Sequence, residues 1–294
     1  MKISLIAVTI VLCIGSLYGG TYEEQMKQAD KLSEEKKYKE AAAVFDDASL
    51  ETENTEKRIE ARYRSWDCLR KAKAANTVLS AESLLYDESH LSTDRKLELI
   101  QYIAKRGNKE SRKKVFEFAL DLKGLTEKQR SKILLWAMNS GGTWQSEAYI
   151  NEVLSMKNPD PVAKANALGH RANVYLWVKR DSLTALKYIN QALAIKELIG
   201  QDRQFYLLVQ ARCYATLKKF AQAEKSYLAA LKIAKQRDFQ EAAYQELVRV
   251  YVMSRQVLKI EPLLKRASAD KSLTKRQRLV FSNLLTKIKN TQKQ

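Results

Sequence analysis

Side chains able to do acid–base, nucleophilic or metal chemistry are few in this chain and widely scattered. His90 and His170 are the only histidines, isolated from each other and from any second ligand type at metal-site spacing. Cys13, Cys68 and Cys213 form no Cys-x-x-Cys pair. Nucleophile elbows, His-Glu-x-x-His pairs, phosphate loops and dinucleotide fingerprints are all missing from the sequence. The adjacent carboxylates Glu23/Glu24 and Asp46/Asp47 fall in helix-forming stretches, where neighbouring residues point in different directions and cannot share one proton or one ion. The expectation is a chain with no catalytic residues, no metal and no cofactor.

What remains for function is charge and shape. The formal net charge is +18 and is unevenly spread: residues 21–60 hold twelve acidic and seven basic side chains, and residues 255–294 hold eleven basic and two acidic. A basic end favours an anionic surface or polymer as a partner. Lys and Arg on the outer faces of amphipathic helices also serve simply as solvating residues. No helix-turn-helix, zinc-finger or RNA-stacking motif is present, which argues against nucleic acid.

The elements that must carry these charges are helices. The chain has only 9 Gly and 3 Pro, far below average usage of about 7% and 5%. Residues with good helix propensity, Ala, Leu, Lys, Glu, Gln and Arg, dominate it. Lys2 leads into an apolar run from Ile3 to Ile14, followed by Gly15, Ser16, Gly19 and Gly20, which is the layout of a signal peptide over residues 1–20. The run is shorter than the about 20 residues needed to span a bilayer. Export to the periplasm or the extracellular space is therefore expected, with no transmembrane segment in the mature chain. Cys13 leaves with the signal, and Cys68 and Cys213, each beside an aromatic residue, are expected as buried small hydrophobes.

Beyond residue 20 apolar residues recur at helical spacing, and polar connections interrupt them every 12 to 18 residues. Helices joined this tightly pack antiparallel. Ala29, Leu32, Ala41, Phe45 and Ala48 stand at intervals of three, nine, four and three, and Ala211, Tyr214, Ala223, Tyr227 and Ala230 repeat those intervals. Ala172, Tyr175, Ala185, Ile189 and Ala192 match with one extra residue, placed in the turn at Lys179–Ser182. Tyr244, Leu247, Tyr251, Leu264 and Ala267 follow more loosely. Small residues let two helices cross closely, while the bulky ones fill space toward the next hairpin.

This pattern resembles the tetratricopeptide repeat family. The resemblance implies an all-α fold, a right-handed α-solenoid of antiparallel helical hairpins. One repeat is expected at 22–55 within a segment 21–142 that is otherwise degenerate, further repeats at 143–270, and a basic capping helix at 271–294. The sharpest break is Ser140-Gly141-Gly142-Thr143. Ligands in this family lie along the concave face made by the first helix of each hairpin. The matching positions here are Asn173, Arg212 and Arg249, with His170, Trp177, Gln245 and Met253 along the same groove. An Asn and two Arg suit a carboxylate, as in the family's carboxylate clamps, but Gly169, Leu208 and Gln245 stand where the clamp's lysines would be. Trp177 fits either the groove or the core.

The function that follows is a non-catalytic scaffold or adaptor of the cell envelope, with a protein or peptide partner. Two alternatives stay open. One is an accessory subunit or divergent enzyme using residues 55–160, for which a pocket holding His90 beside a carboxylate is the signature. The other is a structural envelope protein that assembles through its acidic and basic ends.

Overall fold

A computed structural model describes residues 20–139, 146–233 and 237–291. Residues 1–19 of the expected signal at 1–20, and the break at Ser140–Thr143, lie outside the described residues. Everything described is helix or connection, with no strand among the described residues. Two compact units are present, one ending at Leu125 and the other beginning at Thr126.

The first unit contains α1 (Tyr22–Glu34), α2 (Tyr38–Leu50), α3 (Thr55–Lys71), α4 (Thr77–Asp87), α5 (Thr93–Arg106) and α6 (Lys109–Asp121). The second contains α7 (Glu127–Asn139), α8 (Ser146–Ser155), α9 (Pro161–Asn173), α10 (Ser182–Ala194), α11 (Gly200–Thr216), α12 (Phe220–Ile233), α13 (Arg237–Met253), α14 (Ile260–Ala269) and α15 (Lys275–Thr291). Local sequence sets many of the starts. Thr21 with Glu24, Thr126 with Gln129 and Thr274 with Gln277 close reciprocal capping boxes. Asn54, Ser92, Asn108 and Asp181 each accept a backbone N–H three residues on. Asp160 caps α9, with Pro161 at its first position.

The hairpins end alike. Lys36, Lys73, Arg180, Lys218 and Arg255 all have positive φ, between 54° and 61°, and each is the left-handed residue that turns its first helix into its second. The turn is closed by a backbone N–H returning to the carbonyl of Leu32, Leu69, Tyr175, Tyr214 or Tyr251. A side chain in this conformation costs about 1–2 kcal/mol, which glycine would avoid.

Packing follows the small-residue register. Ala29, Ala41, Ala48, Ala172, Ala185, Ala192, Ala211, Ala223 and Ala230 are all fully buried, with Phe45, Ile189 and Tyr227 beside them. One detail differs from the sequence reading. The extra residue of the third matching hairpin is not in its turn, since Arg180 and Asp181 occupy the same turn positions as Lys218 and Lys219. A π-helical segment, Val174–Val178, absorbs it, because i→i+5 bonding takes one more residue per turn.

Between α1, α3 and α5 the repeat is visible in ion pairs 34 or 35 residues apart. Glu23 pairs with Lys57, Asp30 with Arg64 and Glu60 with Arg95, and the Tyr63 hydroxyl donates to Glu98. Two acids of the first hairpin, Glu23 and Asp30, therefore face cations of the second. Cys68 and Cys213 are free and buried, and burial pushes the Cys213 thiol up to about 11.

Candidate functional site

The first helices α9, α11 and α13 of three successive hairpins hold all seven groove positions expected from sequence, Trp177 standing in the π segment that extends α9. They bring three of the seven together. The Arg212 guanidinium lies over the Trp177 ring, 5.4 Å from its centroid, and its Nη2 is 3.8 Å from Glu246 Oε1. Arg249 Nη1 donates to the same Glu246 oxygen at 3.0 Å. Trp177, Arg212, Glu246 and Arg249 thus form a continuous chain of contacts across the three hairpins. Arg249 is the exposed end, at 70% of its side-chain surface, and Glu246 is mostly covered, at 22%. Beneath them Tyr227 is fully buried, and burial raises its hydroxyl well above the ordinary value, with Glu246 pushing the same way and Arg212 opposing.

The other four positions join no such network. Asn173 Oδ1 is buried without a hydrogen-bond partner. Gln245 is exposed and donates to Glu241 on its own helix at 3.0 Å. Met253 is exposed at 56%. His170 is partly buried, and burial holds its pKa below the ordinary 6.5 against an opposing pull from Asp202.

That depression has a testable consequence. Below about pH 6.5 the unfolded chain takes up the His170 proton before the folded chain does, so this group removes stability as the pH falls. His170→Gln is expected to abolish that contribution, so the melting-temperature gap between variant and parent should shift in the variant's favour from pH 7.5 to pH 5. An unchanged gap would mean that His170 is solvated in the folded protein.

The missing clamp lysines have a packing cause. A side chain on Gly169 would place its Cβ 2.2 Å from Tyr206 Cε1, and Leu208 is buried in the core. Neither position can present a cation to a ligand; only Gln245 is open to one. Trp177 is not a core residue, being 47% exposed with the Arg212 guanidinium over its ring. Sequence reasoning missed Glu246 and Tyr227. Glu246 had a signal, since it stands three residues before Arg249 on the same helix.

The first unit carries an open cleft of about 610 Å³, lined among others by Tyr22, Glu56, Lys57, Glu60, His90 and Arg95. Here His90 does stand in one cleft with carboxylates. However, Glu60 is bound by Arg95 at 2.5 Å, and Ser92, also at the cleft, caps α5 by accepting the Arg95 N–H. His90 has no hydrogen-bond partner among the described residues. No group of three potential metal ligands occurs among the described residues. No described helix is long and apolar enough to cross a membrane.

No family model and no curated protein matches the chain. Among solved structures, the C-terminal part of a TPR repeat-containing protein from Cytophaga hutchinsonii aligns over 86% of this chain and 97% of its own, at 17% identity and a TM-score of 0.56. The TPR2AB domain of yeast Sti1, solved as a complex with pHSP90, covers 90% of this chain and 97% of its own at 12% identity. Its TM-score of 0.31 is too low for the two folds to be compared position by position. The chain is thus an all-α protein of stacked helical hairpins with a tetratricopeptide-like fold.

Proposed function

We propose that this protein is a non-catalytic binding scaffold of the cell envelope that holds a protein or peptide partner across α9, α11 and α13. The observation that carries the reading is the contact chain Trp177–Arg212–Glu246–Arg249, which links three hairpins on one series of first helices. Glu246 sits where a ligand carboxylate would sit, between the two arginines, and acts as an internal stand-in. A partner's C-terminal carboxylate or acidic side chain displaces it or shares Arg249, whose guanidinium is the more exposed. The exposed Trp177 face supplies apolar or stacking area beside that charge.

Export is part of the same reading and rests on the apolar run Ile3–Ile14. The basic C-terminal segment, including Lys275, Arg276 and Arg278, assists by attraction to an anionic surface. The alternative of assembly through an acidic first hairpin has less support, because Glu23, Asp30 and Glu35 each already face a cation of the first unit.

The test is peptide selection on the whole protein from a library displaying free C-termini. The best ligand is expected to weaken about tenfold or more on amidation of its carboxylate and on Arg249→Ala, the usual size for one charge-assisted contact. Glu246→Gln should tighten it several-fold by removing the internal competitor. Binding indifferent to all three changes would remove this groove from the function.

A further inference from the structure

The edge of the second unit formed by its hairpin turns has a composition that the groove does not account for. The turns α9–α10, α11–α12 and α13–α14 lie on one side. The end of α9 touches the last turn of α11 through Trp177 and Arg212, and Tyr251 and Lys259 at the third turn both bind Glu224 at the start of α12, each at 2.8 Å. Along this edge stand Lys179, Arg180, Lys218, Lys219 and Arg255, all exposed. Arg180, Lys218, Lys219 and Arg255 have no ion-pair partner among the described residues. The acids nearby are engaged: Asp181 caps α10, and Glu224 is held by Lys259 and Tyr251.

Exposed aliphatic side chains are set between these cations. Val178 is 76% exposed, Leu183 64%, Val252 58%, Val257 56% and Leu258 91%. The last two belong to the short 3₁₀ turn Val257–Lys259. The helix dipole favours one cation at each of these helix ends and offsets the strain of its left-handed backbone. Lys179 lies over the Tyr175 ring at 4.4 Å, and the dipole accounts neither for the second cation at Lys219 nor for the aliphatic tips. Two of the inter-hairpin connections are more evenly charged, with Lys196 beside Glu197 and Asp270 beside Lys271, although Ile199 is also exposed, at 74%.

We infer that this turn edge docks on the surface of an anionic lipid bilayer, with Val178, Leu183, Val257 and Leu258 entering the headgroup region and the flanking cations facing lipid phosphates. A soluble polyanion would complement the charge but would leave the aliphatic tips in water, whereas a bilayer interface takes both. The surface adjoins the groove at Trp177 and Met253, but its cations and aliphatic tips are other residues and lie outside the basic C-terminal helix.

The experiment is co-sedimentation of the whole protein with phosphatidylglycerol-containing vesicles and with pure phosphatidylcholine vesicles. The decisive variant is Arg180→Gly/Lys218→Gly/Arg255→Gly, which removes three cations while giving each turn the residue its backbone prefers, so the fold should be kept or stabilised. Binding is expected for anionic vesicles alone and is expected to fall by about a hundredfold in this variant, at roughly fivefold per surface cation. Val178→Ser/Leu258→Ser should lose the part of binding that survives high salt. Lys275→Gln/Arg276→Gln/Arg278→Gln, which removes as many cations from the auxiliary C-terminal segment, should weaken binding less than the glycine variant does. The inference is overturned if anionic vesicles are not bound, if the glycine variant binds as well as the parent, if only the C-terminal variant loses binding, or if polyphosphate is bound and vesicles are not.

Discussion

Trp66→Ala is expected to lower the stability of the first unit by about 4 kcal/mol, within the usual range for truncating a fully buried Trp. The ring has no exposed surface and meets Tyr102 edge-on at 5.6 Å and Tyr63 at 5.4 Å, while Arg70 lies over it at 5.3 Å. Truncation leaves a cavity at the junction of α3 and α5 that these aromatics cannot close. Trp66→Phe separates packing from hydrogen bonding. The Trp66 indole N–H is buried without a partner, so phenylalanine gives up some area but also removes an unsatisfied donor, and the loss should stay below about 2 kcal/mol. Urea denaturation of the two variants measures both numbers. A cost under about 1 kcal/mol for the alanine would mean that the second hairpin does not share the core.

Trp66 also explains what was and was not legible in the sequence. Counted back from the left-handed turn residue, Trp66 stands seven positions before Lys73, as Ala29 stands before Lys36 and Ala211 before Lys218. Replacing a small residue by the largest one hides the repeat from any pattern based on size. The connection is also longer: the first backbone bond of α4 starts from Asn76, three residues after the turn residue, whereas in α2 it starts from Lys37, one residue after. The fixed intervals are lost, yet helix periodicity survives, and α4 and α7 still form at Thr77–Asp87 and Glu127–Asn139. Of the groove, the positions on the first helices could be read from the repeat register. For Glu246 only the pairing with Arg249 on its own helix was legible; its approach to Arg212 was not, because that contact is between hairpins.

The second large effect is at Gly169. By helix propensity alone Gly169→Ala would stabilise α9 by about 1 kcal/mol. Packing reverses the sign. The new Cβ would lie 2.2 Å from two ring carbons of Tyr206, which is 3% exposed and anchored by its hydroxyl to Asn166 Oδ1 at 2.9 Å. The ring cannot yield without breaking that bond or moving α11 away from α9. A net loss of about 3 kcal/mol is expected, at the upper end for overpacking. Tyr206→Ala in the same chain should recover much of that loss relative to Tyr206→Ala alone, since the two residues share one space. A Gly169→Ala variant as stable as the parent would show that α9 and α11 are not held this close. Because the Trp177–Arg212 contact depends on that approach, peptide binding should weaken along with stability.

The central claim is that the first helices of the second unit, and not its outer face, hold a partner. The most direct measurement places a photo-crosslinking amino acid at Gln245, exposed on α13, and separately at Gln222, exposed on α12, and exposes each protein to envelope extract. A discrete crosslinked protein at Gln245, absent at Gln222 and suppressed by Arg249→Ala, is the result expected. Equal crosslinking at both positions, or a product at Gln245 unaffected by Arg249→Ala, would contradict the account.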